Sequence, residues 1–566
     1  MNTSDGQIKT NSSEQTDQNE QFRTDRSKRI SEKQDRPFER QKKWQGGYKK
    51  KRMYSTIITG GLHGLDCYLA RVEVDCSRGL PGFEMVGLLG SEVKEARERI
   101  RVALRNADID LPPLKITVNI SPASLHKEGT FYDLPVAAGI LAAQGLILPE
   151  ETERVMIAGE LGLNGEVRPV RGILPMVLEA RKQGIRRCII PEENLSEARL
   201  VEGICLKGIR KLSRLEEALR EEGETVCRKP VPIKGITDGP DFGEIQGQEG
   251  VKRAAAAAAA GFHHMLMVGP PGAGKTMIAR CLPSILPPMT EEERLEAASI
   301  YSVAGLPAGD FLSGTARPFV APHHTVTGRA LTGGGQVPRP GAISLAHRGI
   351  LFLDELAEFK RTTLDLLRQP LEEKQVRILR SSGAYCYPAD FMLVAAMNPC
   401  PCGYYPDRNR CRCSPGQISR YLSGISGPIL DRMDICAEVE RVKFGELMNR
   451  GKEPGTDSRT LRGRVLEARK RQEHRFLQDP MLPEHIRYNS QMGLKELDRF
   501  CPLGLSEQKF LEQMFEKLGL TARSCHRLLR VARTLADLDG EERIGKAHLS
   551  EAACYRLAAG KYPGTA

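Results

Sequence analysis

The chain lacks any run of about 18 apolar residues, so a helix crossing a membrane is not expected. No apolar stretch follows Met1-Asn2-Thr3-Ser4-Asp5, and a secretory signal is not expected either. Aromatic residues are scarce, at 5% with a single Trp. The excess of one charge sign is also small beyond the N-terminus. The net charge is +11, but residues 1–52 hold 14 Lys and Arg against 8 Asp and Glu, which is more than half of the excess. Basicity of the whole chain is therefore weak evidence for nucleic acid. The 15 cysteines are odd in number and mostly scattered through apolar segments, as reduced thiols are. A cytoplasmic location is expected.

What remains is 566 residues with 40% hydrophobic and 27% charged composition, enough for several globular domains. Residues 1–52 have almost no aliphatic side chains and read as a disordered basic tail, because burial there cannot offset the entropy of ordering. Its end, Tyr48-Lys49-Lys50-Lys51-Arg52, is either a solvated tail or a phosphate contact. Met53 is a candidate start for the folded protein.

Residues 53–225 read as one α+β domain. Tyr68, Ala70, Val72, Val74 and Cys76 alternate with polar positions, and Ile116, Val118 and Ile120 do the same, as half-buried strands do. Ser91 reads as an N-cap to a helix with Val93, Ala96, Ile100 and Leu104 on one face. Lys94, Arg97, Arg101 and Arg105 on the other face are a solvated stripe or a nucleic-acid contact. Residues 226–240 are a linker by composition. Residues 241–441 alternate helices with short apolar strands, as an α/β core does. Residues 442–456 form a second linker, and 457–566 a helical lid with an Arg-rich helix from Ala522 to Leu538.

Gly269-Pro270-Pro271-Gly272-Ala273-Gly274-Lys275-Thr276 fits the phosphate-loop pattern G-x-x-x-x-G-K-[ST], between a short apolar strand and a helix start. Glycines let backbone N–H groups close around phosphates, and the helix N-terminus adds partial positive charge. Lys275 reaches the β- and γ-phosphates of ATP, and the Thr276 hydroxyl holds Mg²⁺. Gly349-Ile350-Leu351-Phe352-Leu353 ends in Asp354 and Glu355. Asp354 is expected on the metal and Glu355 on the attacking water. Phe391 to Met397 ends in Asn398, a candidate sensor of the γ-phosphate. Arg432 follows a short apolar turn and is the candidate arginine supplied to a neighbouring subunit; the other reading pairs it with Asp431 or Asp434. The C-terminal Arg-rich helix offers Arg523, Arg527, Arg530 and Arg533 as further cations for a lid to close onto the nucleotide, and the choice of Arg523 among them is what the family resemblance given below implies.

Cys400-x-Cys402 and Cys411-x-Cys413 lie in a loop rich in Pro, Gly, Asp and Arg. Residues i and i+2 of extended backbone point the same way, so two such pairs can close a tetrahedral Zn²⁺ site. Four reduced surface thiols are the other reading. Gln375 to Arg380 alternates like one arm of a hairpin that Ser381-Ser382-Gly383-Ala384 turns. In the ring that the family resemblance given below implies, Arg377 and Arg380 then sit near the pore and meet DNA phosphates, or the hairpin is structural only. His323 and His324 read as structural or pore-facing, with no carboxylate nearby to make a metal site.

Several segments resemble magnesium-chelatase-like AAA+ ATPases, and specifically the YifB/ComM family. They are Asp241 to Gln248, the phosphate loop, Pro318 to Thr325, Gly333-Gly334-Gly335, Pro338 to Gly341, Leu345-Ala346-His347 and Asn398 to Gly403. The resemblance covers nearly everything after Met53. It implies an α/β AAA+ phosphate-loop core with a helical C-terminal lid. Before the core it implies a Lon-proteolytic-like domain of the ribosomal S5 domain 2-like fold. It also implies homo-hexameric rings on single-stranded and branched DNA that drive branch migration in homologous recombination during natural transformation, with a recombinase as a further partner. Lys127-Glu128-Gly129 and Asn164 to Gly172 resemble Lon, but Phe131 and Leu174 stand where the protease has its Ser and Lys. Peptidase activity is therefore not expected. The competing functions are a chelatase subunit that inserts a metal, and a protein-remodelling ATPase.

Overall fold

A computed structural model describes residues 53–111, 113–221, 223–226, 239–308, 317–381, 383–441, 456–483 and 486–560. The tail at 1–52, nearly all of the linkers at 226–240 and 442–456, and Ser382 of the hairpin turn lie outside the described residues.

The strands in chain order are β1 (Tyr54–His63), β2 (Asp66–Ser77), β3 (Gly82–Val86), β4 (Lys115–Ser121), β5 (Val155–Ile157), β6 (Glu160–Leu161), β7 (Val167–Arg168), β8 (Arg187–Pro191), β9 (Cys205–Ile209) and β10 (Glu224–Thr225). They continue with β11 (Met265–Val268), β12 (Phe319–Val320), β13 (Gly333–Gly334), β14 (Arg339–Pro340), β15 (Ile350–Leu353), β16 (Gln375–Arg380), β17 (Gly383–Pro388), β18 (Met392–Met397) and β19 (Ile435–Glu438).

The first large sheet has eight strands in the order β10-β9-β8-β5-β1-β2-β4-β3. It is mixed: β1, β2 and β4 pair antiparallel, whereas β5, β8 and β9 run parallel. The alternation read in β2 is real, since Ala70, Val72, Val74 and Cys76 are buried while Arg71 and Asp75 are exposed. The Asp133–Ala143 helix is apolar almost all round and is buried on nearly every residue. Ser91–Asn106 is helical as expected, with Val93, Ala96, Ile100, Ala103 and Leu104 inward. Its cap is Gly90 rather than Ser91, which is instead the first helical residue, and no side chain caps this end.

The second large sheet has five strands, all parallel, in the order β12-β15-β18-β11-β19. Both faces are covered, which explains why its strands read as continuous apolar runs rather than alternating ones. Met265 and Met267 of β11, with Val394 of β18 and Ile435 of β19, enter a core shared with the Glu249–Gly261 helix and the C-terminal helices. Leu266, Val268, Leu393 and Cys436 enter a separate core on the opposite face. The chain leaves β11 for the far edge and returns inward, so β11 lies at the switch point where a parallel sheet opens its ligand crevice.

The C-terminal helices are held by specific polar contacts. Ser458 Oγ accepts from the Phe242 backbone N–H at 2.8 Å and lies 2.9 Å from Ser284 Oγ. Arg253 bonds both Asp539 and Glu551. The mixed α/β sheets with parallel strands agree with the expected class.

Candidate nucleotide site and cysteine cluster

The phosphate loop leaves β11 at Gly269 and enters the Lys275–Ile285 helix at Gly274. A Cβ on Gly269 would stand 2.2 Å from the Val439 carbonyl oxygen, so the loop needs glycine there for close approach. Gly272 and Gly274 need it for conformation, with φ of +75° and +91° and no neighbour within 4 Å of a built Cβ.

Lys275 is buried at the helix start. Its Nζ donates to the carbonyls of Gly269 at 2.7 Å and Pro270 at 2.9 Å, and to Asn398 Oδ1 at 3.1 Å. Burial pulls its pKa down, opposed by Asp354 and Glu355. Thr276 Oγ1 donates to Asp354 Oδ2 at 2.8 Å, and the Glu355 backbone N–H donates to Asp354 Oδ1 at 3.0 Å. The ends of β11, β15 and β18 thus bring Lys275, Thr276, Asp354 and Asn398 together. Asp354 and Thr276 present neighbouring hard oxygens, which suits Mg²⁺.

Glu355 is left-handed, with φ +51°, and its carboxylate lies 3.4 Å from His324 Nδ1. The sequence reading had no carboxylate near this histidine. The structure corrects it: the two-residue strand β12 pairs with β15, and the segment after it ends beside Glu355. His323 faces Thr325 instead, at 2.9 Å.

Arg432 pairs with neither Asp431 nor Asp434. It is buried, donates to the Pro428 carbonyl at 2.6 Å, and bonds the Glu372 carboxylate. Asp434 takes His263 and Arg527 instead, and Asp431 takes Arg556. Arg523 also differs from expectation. It is not closed over the phosphate loop but donates to the same Glu372 oxygen as Arg432, at 2.8 Å. Both line a cavity of about 930 Å³ together with Arg527 and Arg530. Glu372 was not singled out from sequence, and nothing local in its segment signals it.

β16 and β17 form the expected hairpin, with Arg380 opposite Gly383. Arg377 and Arg380 are exposed: Arg377 pairs with Glu373 at 3.7 Å, and Arg380 Nε donates to the Gly335 carbonyl at 3.3 Å. Lys374 at the hairpin root pairs with Asp390 at 3.2 Å. Near the turn, the Tyr385 ring stacks on His63 from the first sheet at 4.4 Å, and His63 Nε2 donates to the Ala384 carbonyl at 3.1 Å.

The four cysteines gather. Cys400 Sγ is 3.4 Å from Cys402 Sγ and 3.8 Å from Cys411 Sγ, and all four sulfurs lie within 4.8 Å of one another. A tetrahedron with metal–sulfur bonds of about 2.3 Å requires sulfurs roughly 3.8 Å apart, so the donor set fits Zn²⁺. The Tyr405 N–H donates to Cys400 Sγ at 3.4 Å. Burial opposes ionisation of Cys402, but the Tyr404 backbone N–H and the thiols of Cys400, Cys413 and Cys411 lower it to about 6. Ser414 and Gln417 form a capping box on the following helix. The cluster also touches the phosphate loop, since a Cβ on Gly403 would stand 2.4 Å from Pro271 Cδ.

In the first sheet region, Phe131 and Leu174 are buried. The Leu174 backbone N–H donates to Ser302 Oγ at 3.3 Å, on the Glu291–Ala304 helix. No described helix is long and apolar enough to cross a membrane.

Residues 241–447 match the family described as magnesium chelatase, subunit ChlI, and residues 455–556 match its C-terminal part. Residues 72–194 match a further family described as subunit ChlI of Mg-chelatase. The chain is 43% identical to competence protein ComM of Haemophilus influenzae, over 87% of this chain and 95% of that one. It is 40% identical to YifB of Escherichia coli, over 89% and 97%. Lon protease 2 of Bacillus subtilis is 29% identical over 32% of this chain and 37% of its own length. Identity of this level along nearly the whole length, on a parallel sheet with a phosphate loop at its switch point, means that the chain belongs to the ComM/YifB family of magnesium-chelatase-like AAA+ proteins.

Proposed function

We propose that this chain is an ATP-driven DNA motor, a homo-hexameric ring in the cytoplasm that promotes branch migration during homologous recombination of incoming DNA. The observation that carries the reading is the convergence of Lys275, Thr276, Asp354 and Asn398 at the carboxyl ends of three adjacent strands. The competence protein among the relatives supports the biological setting.

In this reading the backbone of Gly269, Pro270, Pro271, Gly272, Ala273 and Gly274 wraps the phosphates. Lys275 exchanges its carbonyl partners for β- and γ-oxygens. Thr276 and Asp354 hold Mg²⁺, which when bound neutralises charge on the phosphate oxygens. Glu355 orients the attacking water and takes its proton, and His324 steadies the Glu355 carboxylate. Asn398 senses the γ-phosphate. Arg432 and Arg523, together on Glu372, serve the nucleotide of the neighbouring subunit.

Cys400, Cys402, Cys411 and Cys413 hold a structural Zn²⁺, and four thiolates leave no position for a reactive water. Arg377 and Arg380 meet DNA phosphates. The region 53–225 is an accessory domain, because buried Phe131 and Leu174 supply neither nucleophile nor base.

The test is strand displacement on a four-way DNA junction with ATP. The wild-type protein should move the branch and Glu355→Gln should not. ATP turnover indifferent to branched DNA, with no displacement, would sink the DNA-motor reading.

A further inference from the structure

Around the cavity that holds Arg432 and Arg523, positive charge is crowded. Arg527 and Arg530 share its wall. Burial pulls Arg527 down to about 10, with Arg556, Arg523 and Arg530 adding to the fall and Asp434 opposing it. The buried Nε atoms of Arg432 and Arg530 have no hydrogen-bond partner among the described residues. Such a group of cations, partly desolvated and partly unpaired, favours an anion. Glu372 is the carboxylate that both Arg432 and Arg523 bond, and its side chain is half exposed. Its place in the chain matters as well. It lies in the short Arg368–Glu373 helix, and only Glu373 and Lys374 separate it from β16. Glu373 pairs with Arg377 and Lys374 with Asp390, so the root of the hairpin is tied on both sides.

We propose that Glu372 is a positioning residue that holds the guanidinium groups of Arg432 and Arg523 as a stand-in for the neighbouring subunit's γ-phosphate, and that its release or recapture of them is passed to the β16–β17 hairpin. The inference rests on the reading that these two arginines serve the neighbour's nucleotide. A γ-phosphate carries more charge than one carboxylate and offers more acceptor oxygens. It therefore takes the two guanidiniums when present, and Glu372 takes them back when phosphate leaves. Each exchange changes what restrains the helix that ends at the hairpin root. Nucleotide state in one subunit is thereby felt at Arg377 and Arg380 of the next.

Glu372→Gln tests this, since it keeps the side chain's shape and removes the charge. The readout is the ATP KM and kcat of assembled full-length rings, with and without forked DNA. Without DNA, loss of the competing carboxylate should lower KM roughly three- to tenfold, as expected for a half-exposed, charge-assisted pair. Forked DNA should lower KM in wild type and leave the variant unchanged. A KM within twofold of wild type would overturn the proposal. If Glu372→Gln rings fail to assemble, Glu372→Asp, which keeps the charge but shortens its reach to the two guanidiniums, replaces it in the same assay, and a KM within twofold of wild type there overturns the proposal equally. Arg432→Ala separates the two ideas. If Arg432→Ala rings turn over ATP normally, the neighbour-arginine reading itself fails. If they are dead while Glu372→Gln behaves as wild type, only the Glu372 proposal fails.

Discussion

Replacing Cys402 with serine removes one sulfur from a cluster whose sulfur–sulfur separations of 3.4, 3.6 and 3.8 Å are already close to those of a tetrahedral site. Three sulfurs and a hydroxyl bind zinc far more weakly than four thiolates, so metal content should fall from about one per chain to near zero. In isolated zinc-finger peptides such a site is worth about 10–16 kcal/mol, but here the loss should remain local. The following helix keeps its Ser414 cap, and β18 stays paired on both sides. What is lost is the platform behind Pro271, against which Gly403 packs too closely to admit a Cβ. Re-ordering one or two residues of the phosphate loop costs about 1–2 kcal/mol each. At roughly 1.4 kcal/mol per tenfold, nucleotide affinity should weaken by about fivefold to several hundredfold. The assay pairs elemental analysis of the purified protein with titration by a fluorescent ATP analogue. A metal-free wild type that binds nucleotide normally would refute the zinc site. A metal-free Cys402→Ser with affinity within twofold of wild type would refute the bracing of the loop.

Gly269→Ala should abolish nucleotide binding because its Cβ meets the Val439 backbone, whereas Gly272→Ala, strained but unobstructed, should cost about 1–2 kcal/mol and weaken binding roughly tenfold by the same titration. Glu355→Gln should bind ATP without turning it over, and His324→Ala should slow turnover about tenfold with binding unchanged; normal rates in either variant would remove that residue from the water-orienting group. Mixed rings of Arg432→Ala and Lys275→Ala subunits should recover activity at interfaces that pair an intact loop with an intact arginine, while mixtures as inactive as either parent argue against action across the boundary. A chain starting at Met53 should hydrolyse ATP at the full-length basal rate, and a large loss would show that residues 1–52 contribute to the motor.

The phosphate loop, both acidic positions, Asn398 and the four cysteines were legible because each signal is local: a few residues of fixed type beside a short apolar run. The strands around them were legible for a related reason. A parallel strand covered on both faces, such as Met392–Met397, is apolar at every position and stands out in any sequence. The two-residue strand β12 gives no such run, so the approach of His324 to Glu355 stayed hidden. Glu372 shows the same limit at longer range. It meets Arg432 at a separation of 60 residues through the folding of the core itself, and Arg523 at 151 through the packing of the C-terminal helices against that core. The contact of Arg523 with Glu372 stayed hidden for that reason: a cation at the start of a lid helix says nothing about which face of the core the helix covers. The cap at Gly90 was missed because serine is favoured both at a cap and in the first turn that follows it.

The hairpin is fastened at two places by two different parts of the chain. Lys374 and Asp390 pin its root to the five-stranded sheet, and His63 clasps Tyr385 and Ala384 from the eight-stranded one. In mechanical terms it is a beam supported at both ends rather than a cantilever. A load applied at Arg377 or Arg380 is then shared between the supports and produces bending rather than a free swing. Its stiffness is therefore a joint property of both sheets, and softening the far support, as His63→Ala would, should make the tip more compliant without altering any group that touches nucleotide.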